Sequence, residues 1–190
     1  MKEIVVFMII LSLFSGCEKA KDRPKQTHPA THTQASISKP ISPPVFTFQD
    51  INGTKVQMRL DEKTLQISDN PKVAILLFLT SWCPSCKAQI PELQEIKKQF
   101  GQKVRIYAFL LDRPQDPKTF KFQEGIDFFL STSYKENERF AKLAYERVHA
   151  PANMPIPLMI VLKDGKYFIH YIGATPLEIL RIDIEKALGE

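Results

Sequence analysis

Ser81-Trp82-Cys83-Pro84-Ser85-Cys86 follows directly on an apolar run, Val73 to Leu79. A continuous apolar run of strand length marks a strand buried on both faces, as in the centre of an α/β sheet. Two cysteines separated by two residues at the first turn of a helix can close a small disulfide without moving the backbone. The first of them sits where unpaired backbone N–H groups and the helix dipole favour a thiolate. Cys83 is therefore the expected nucleophile and Cys86 the resolving thiol. Cys83 also lies just past the carboxyl end of the apolar run, where open α/β sheets place their chemistry.

The chain has three cysteines, and the odd one, Cys17, has a separate context. Ile4 to Phe14 form an apolar core behind Lys2. That core is too short to span a bilayer, which takes about 20 apolar residues, and residues 1–16 read as a signal peptide. Phe14-Ser15-Gly16-Cys17 resembles the bacterial lipobox, with Phe14 in place of the usual aliphatic residue. The resemblance implies that Cys17 is lipidated and becomes the mature N-terminus. The expected address is the periplasm or another extracytoplasmic membrane face, where disulfides form and need managing.

Residues 17–44 are rich in Pro, Thr, Ser, Gln and Lys and nearly free of large apolar side chains, so they read as the lipidated cysteine and a flexible tether. Lys19, Lys21, Arg23, Lys25 and Lys39 against Glu18 and Asp22 put most of the net charge of +5 in this stretch. A basic juxtamembrane segment suits anionic lipid head groups. It gives no ground for nucleic-acid binding, since no aromatic-basic interleaving accompanies it. His28 and His32 stand in the same polar tail and are not read as a metal site.

Residues 45–190 have the length and apolar content of one domain with one core. Val45 to Phe48 and Lys55 to Leu60 alternate in the strand period, with Asn52-Gly53 between them as a hairpin turn. The helix that carries the cysteines ends at Phe100, and Ile90, Leu93, Ile96 and Phe100 share one core-facing stripe. Pro91 lies inside it, where it removes a hydrogen bond and should kink the helix. A strand at Val104 to Leu111, a short helix at Pro117 to Glu124, a strand at Asp127 to Leu130 and a helix at Lys135 to Val148 follow. Strand alternating with helix argues for a mainly parallel sheet. Leu158 to Leu162 and Tyr167 to Ile172 form an antiparallel hairpin across Lys163-Asp164-Gly165-Lys166. A last helix is expected with Thr175 as N-cap, Pro176 at the first position and Glu178 in the capping-box place.

A buried strand leading into Trp82-Cys83-Pro84-Ser85-Cys86, Pro91 five residues after Cys86, Pro157 just before a strand, a terminal hairpin and a closing helix together resemble the thioredoxin fold. The N-terminal β-hairpin and the central βα insertion are similar to the TlpA/ResA/CcmG (DsbE) branch. Its members are mostly periplasmic, membrane-tethered thiol-disulfide reductases serving cytochrome c maturation. The resemblance implies an α/β thioredoxin-like domain over 45–190 and an enzyme, a thiol-disulfide oxidoreductase acting on protein thiols. It puts Pro157 at the family's cis-proline. There the missing N–H leaves a docking face free, and the backbone of Ile156 holds an incoming cysteine peptide in extended form. Trp82 would shield the disulfide and offer a stacking surface, while Pro84 and Ser85 tune the helix terminus. Apocytochrome c as substrate and a membrane thiol reductase as electron donor are the partners the branch implies, for a monomer with no cofactor beyond its Cys83–Cys86 disulfide.

Two departures stand out. Thioredoxins bury a carboxylate six residues before the first cysteine, where this chain has Leu77; relatives of the ResA and CcmG type carry a glutamate three residues after the second, where it has Gln89. Neither can act as proton acceptor for Cys86. The direction of electron flow stays open, because dithiols of this spacing run from reductants near about −270 mV to oxidants near about −120 mV. A Dsb-type oxidase or isomerase is the alternative. A copper-binding thioredoxin-like chaperone is a remote one, since such sites use cysteines three residues apart plus a histidine, and His149 and His170 fall on a helix end and a strand. No metal is expected.

Overall fold

The computed structural model describes residues 42–190. Residues 1–41, on which the expected signal peptide, Cys17 and most of the expected tether fall, lie outside the described residues. Chain order is β1 (Val45–Gln49), β2 (Lys55–Leu60), β3 (Leu65–Ile67), β4 (Val73–Leu79), α1 (Pro84–Phe100), β5 (Val104–Leu110), α2 (Pro117–Gln123), β6 (Phe129–Ser131), α3 (Tyr134–Arg147), β7 (Leu158–Lys163), β8 (Lys166–Ile172) and α4 (Leu177–Leu188).

Five strands form the main sheet in the order β6-β5-β4-β7-β8. The pairs β4–β5 and β5–β6 are parallel, and β4–β7 and β7–β8 are antiparallel. The sheet is thus mixed rather than mainly parallel, because the terminal hairpin adds both of its pairings in the antiparallel sense. β4 lies at the centre and is buried along its whole length, which its unbroken apolar sequence requires. Val73, Ile75, Leu77 and Leu79 face a core shared with Ile90, Leu93 and Ile96 of α1 and Leu180 and Ile184 of α4. Ala74, Leu76 and Phe78 face the opposite core, built with α3 and the N-terminal strands. Phe140 of α3 anchors that second core, with ring centroids 5.1 Å from Phe46, 5.3 Å from Phe48 and 5.1 Å from Phe109.

The N-terminal hairpin is present and carries a third strand, β3, which the sequence reading missed. Three residues with one polar position between two apolar ones are too short to show a period. The β1–β2 turn is a loop over residues 50–54 rather than a two-residue turn at Asn52-Gly53. The buried Asp50 organises it, its Oδ1 accepting from the N–H groups of Asn52 at 2.9 Å and Thr54 at 2.8 Å. β6 starts two residues later than expected, and α3 one residue earlier.

A buried polar knot ties α3 to the sheet ends. Asn137 donates to the carbonyls of Leu110 at 2.9 Å and Ser131 at 3.0 Å, and its Oδ1 accepts from the Ser131 hydroxyl at 2.6 Å. All of this polar capacity is used inside the protein, as burial demands.

The expected turn between β7 and β8 is tight. Asp164 and Gly165 have φ of 49° and 73°, the pattern of a two-residue hairpin turn. The Gly165 carbonyl accepts the Leu65 N–H at 2.7 Å, and a Cβ on Gly165 would lie 2.6 Å from the Leu65 carbonyl oxygen. Gly165→Ala is expected to destabilise the fold by more than about 1 kcal/mol, read as a lower urea midpoint with an unchanged slope. An unchanged midpoint would show that β3 does not depend on this approach.

Candidate active site

The central strand ends at Leu79, paired with Leu110 of β5, and Thr80 to Cys83 turn the chain into α1. Cys83 is the N-cap of α1 and Pro84 stands at its first position, where a missing N–H costs nothing. The Cys83 Sγ accepts the Cys86 N–H at 3.1 Å and has the Ser85 hydroxyl at 3.2 Å. The two cysteines are joined as a disulfide with a Cα–Cα distance of 5.2 Å. Cys83 is 4% exposed and Cys86 fully buried, so the first sulfur is the one an incoming group can meet. Backbone donors at a helix start favour a thiolate on Cys83.

Trp82 is 68% exposed beside this pair, although large aromatic side chains are usually well buried. Ile156-Pro157 is a cis peptide. β7 starts at Leu158, opposite Phe78, so the register brings Pro157 to the sheet end from which Cys83 projects. Ile156 packs against the core that holds both cysteines. The Pro157 carbonyl accepts the Gly173 N–H at 2.9 Å, whereas Ile156 makes no backbone hydrogen bond among the described residues. Trp82, Cys83, Pro84, Ile156 and Pro157 are thus brought to one end of the sheet; Cys17 lies outside the described residues. His149 follows the end of α3, and His170 in β8 has its Nδ1 2.8 Å from the Tyr167 hydroxyl.

Leu77 is buried in the core that also contains Cys83 and Cys86. Gln89 is fully buried one turn beyond Cys86. Its Oε1 accepts the Thr175 N–H at 2.6 Å, and its Nε2 donates to the Thr175 carbonyl at 3.4 Å. This contact overturns the expected cap of the last helix. Thr175 is not the N-cap: its backbone is held by Gln89, its hydroxyl turns back to the Gly173 carbonyl, and α4 starts one residue later with Pro176 as N-cap and no side-chain cap. Glu178 therefore fills no capping box. The amide of Gln89 offers one donor and one acceptor, which matches a peptide unit; a carboxylate could only accept.

Sequence reasoning also missed Asp112, which follows β5. It accepts from the Ser81 N–H at 2.8 Å and from the Ser81 hydroxyl. An acidic residue at the carboxyl end of the strand beside β4 was the available signal. Lys87, the residue after Cys86, pairs with Glu124 at 2.9 Å, linking α1 to the segment after α2. Among the described residues no group of three or more His, Cys, Asp or Glu could hold a metal ion, and no helix is long and apolar enough to cross a membrane.

Gln89→Ala leaves the Thr175 N–H and carbonyl buried without partners and is expected to cost about 1–3 kcal/mol. Chemical denaturation of the oxidised protein checks this; a loss of a few tenths only would mean that water replaces the amide.

Residues 44–166 match the model of the AhpC/TSA family. Thioredoxin 2 of Plasmodium berghei (strain Anka) is 39% identical over 44 residues, 23% of this chain and 28% of the relative. Thiol-disulfide oxidoreductase ResA of Oceanobacillus iheyensis is 34% identical over 65 residues, 33% of this chain and 34% of the relative. The chain thus spans about a third or less of these curated relatives. A solved thiol:disulfide interchange protein of the thioredoxin family from Chlorobium tepidum TLS superposes with a TM-score of 0.60 at 18% identity, covering 78% of this chain and 97% of that one. That likeness extends over the fold described above, and the ResA match agrees with the branch read from the motifs. The chain belongs to the AhpC/TSA family and has a thioredoxin-like fold.

Proposed function

We propose that the protein is a thiol-disulfide oxidoreductase that reduces protein disulfides outside the cytoplasm, tethered to a membrane by lipid on Cys17. The observation that carries this reading is the Cys83–Cys86 disulfide at the start of α1, with Cys83 as N-cap and its sulfur accepting the Cys86 N–H. In the dithiol form, the Cys83 thiolate attacks one sulfur of a substrate disulfide. A Cys83–substrate S–S bond forms, and the other substrate sulfur leaves as a thiolate that takes up a proton. Cys86, losing its proton to solvent, then attacks the Cys83 sulfur and expels the second substrate thiolate. Two electrons have passed to the substrate, and the Cys83–Cys86 disulfide remains.

The exposed Trp82 ring, Pro84, and the Ile156-Pro157 segment form the docking edge. The backbone of Ile156 receives an extended peptide in the manner of an added strand, and Pro157 brings no competing N–H. The reading needs no group beyond the cysteine pair. Regeneration calls for a membrane thiol reductase as donor, and apocytochrome c, whose haem-attachment cysteines must be reduced, is the substrate the branch suggests. The sequence of residues 1–17 supports the extracytoplasmic address, and the basic tether supports the membrane surface. One observation favours the alternative, a Dsb-type oxidase: two hydrogen-bonding groups on Cys83 Sγ stabilise the thiolate and hence the reduced form, which raises the potential.

Insulin reduction with dithiothreitol as donor tests the activity. The wild-type chain is expected to accelerate it, Cys83→Ser to abolish the acceleration, and Cys86→Ser to accumulate a mixed disulfide that a reductant releases. Full activity in Cys83→Ser would overturn the proposal.

A further inference from the structure

The turn that carries the nucleophile is packed at its two ends, Thr80 and Cys83, but not in its middle, where Ser81 is half-buried and Trp82 exposed. Four residues, Thr80 to Cys83, join the buried strand β4 to α1. Trp82 points mostly into solvent. Thr80 is buried, but its hydroxyl has no hydrogen-bond partner among the described residues, so it does not tie the turn down. The backbone closes with a long Cys83 N–H to Thr80 carbonyl bond of 3.4 Å. Against these weak restraints stands one strong one. Asp112 uses both carboxylate oxygens on Ser81: Oδ1 accepts the backbone N–H at 2.8 Å, and Oδ2 accepts the hydroxyl. Charge-assisted bonds of this kind are shorter and about twice as strong as neutral ones.

We propose that Asp112 is a positioning residue for thiol-disulfide exchange: its two-point hold on Ser81 fixes the turn two residues before Cys83, and so the line along which the Cys83 sulfur is presented. Asp112 is itself placed by the sheet, because the β4–β5 ladder continues one bond further, from the Leu111 N–H to the Leu79 carbonyl at 2.9 Å. Arg113 lies over the Tyr134 ring, 5.3 Å from its centroid. Tyr134 packs against the core that contains both cysteines, and burial, then the charge of Asp112, pushes its hydroxyl above the ordinary phenol range. Asp112 hydrogen-bonds Ser81 and neither cysteine, so its assigned role is through the turn. The inference rests on the proposed activity, and wild-type insulin reduction tests that reading separately.

Hydrogen-bond chemistry supplies a discriminating set of variants. In Asp112→Asn, the amide oxygen can still accept the Ser81 N–H, and the amide nitrogen can donate to the Ser81 hydroxyl, which simply reverses its role. Asp112→Ala removes both contacts, and Ser81→Ala removes the hydroxyl contact alone. The readout is the single-turnover rate at which Cys83 captures a disulfide, measured with oxidised glutathione in the full chain carrying Cys86→Ser, alongside the unfolding midpoint of each variant. A misplaced nucleophile loses one to two orders of magnitude, so Asp112→Ala is expected to slow capture by about tenfold or more. Asp112→Asn should stay within about twofold of the parent and Ser81→Ala should fall between them, with Asn the rescue a mere loss of stability would not predict. Capture by Asp112→Ala at the parental rate would overturn the proposal. So would an Asp112→Asn variant as slow as Asp112→Ala, which would assign the effect to charge. If Asp112→Ala does not fold, the Ser81→Ala and Asp112→Asn pair still decides: parental capture by Ser81→Ala, or slow capture by a folded Asp112→Asn, sinks the clamp.

Discussion

The site depends on the burial of β4. Its seven residues are buried on both faces, so the place of Leu79 in space is fixed by two cores and two neighbouring strands. Each fully buried Leu, Ile or Phe is worth about 1.5–3 kcal/mol, whereas a helix cap of the ordinary kind contributes about 1 kcal/mol. Packing therefore holds the end of β4 and α1 where they are, and the Asp112 contact with Ser81 ties the turn between them. The hydrogen bond from the Cys86 N–H to Cys83 Sγ then orients a sulfur whose position is already set. A surface loop carrying the same two cysteines would lack that order of causes, and its thiols would pair with less regard to direction.

Features that rest on long-period patterns or fixed spacing were legible in the sequence. The apolar run of β4, the stripe Ile90, Leu93, Ile96 and Phe100, and the Asp164-Gly165 turn each write a local physical requirement into residue types. What escaped were contacts between residues far apart in the chain. Asp112 meets Ser81 across 31 positions, and Gln89 meets Thr175 across 86. Local rules also misplaced the start of α4. Thr175, Pro176 and Glu178 fit a capping box, but the buried amide of Gln89 takes the Thr175 backbone and the helix starts one residue later. Tertiary pairing of a buried peptide unit outweighs a solvent-side cap, because an unpaired buried group costs about 1–3 kcal/mol. β3 was missed for a related reason: it is short, and it is defined by its pairing with β2 and by the approach of Gly165.

Where related proteins place carboxylates, this chain has Leu77 in the core and Gln89 bridging two elements. The neutral amide is used structurally, as the tie between the dithiol helix and the segment leading to α4. The electrostatics of the pair are left to the helix terminus, the Ser85 hydroxyl and solvent. Since 30 mV corresponds to about 1.4 kcal/mol for two electrons, one hydrogen bond on Cys83 Sγ moves the potential by some tens of mV, and a few such bonds span the roughly 90 mV between a reductant and an isomerase. Direction is thus set by small terms around one sulfur, while the fold is set by large ones.

The most direct test of the reductase account is the redox state of Cys83 and Cys86 in growing cells, trapped by acid quench and a mass-shifting maleimide. The account predicts a mainly reduced pair, kept charged by a membrane donor. A mainly oxidised pair would contradict it and identify a protein that gives disulfides to its substrates.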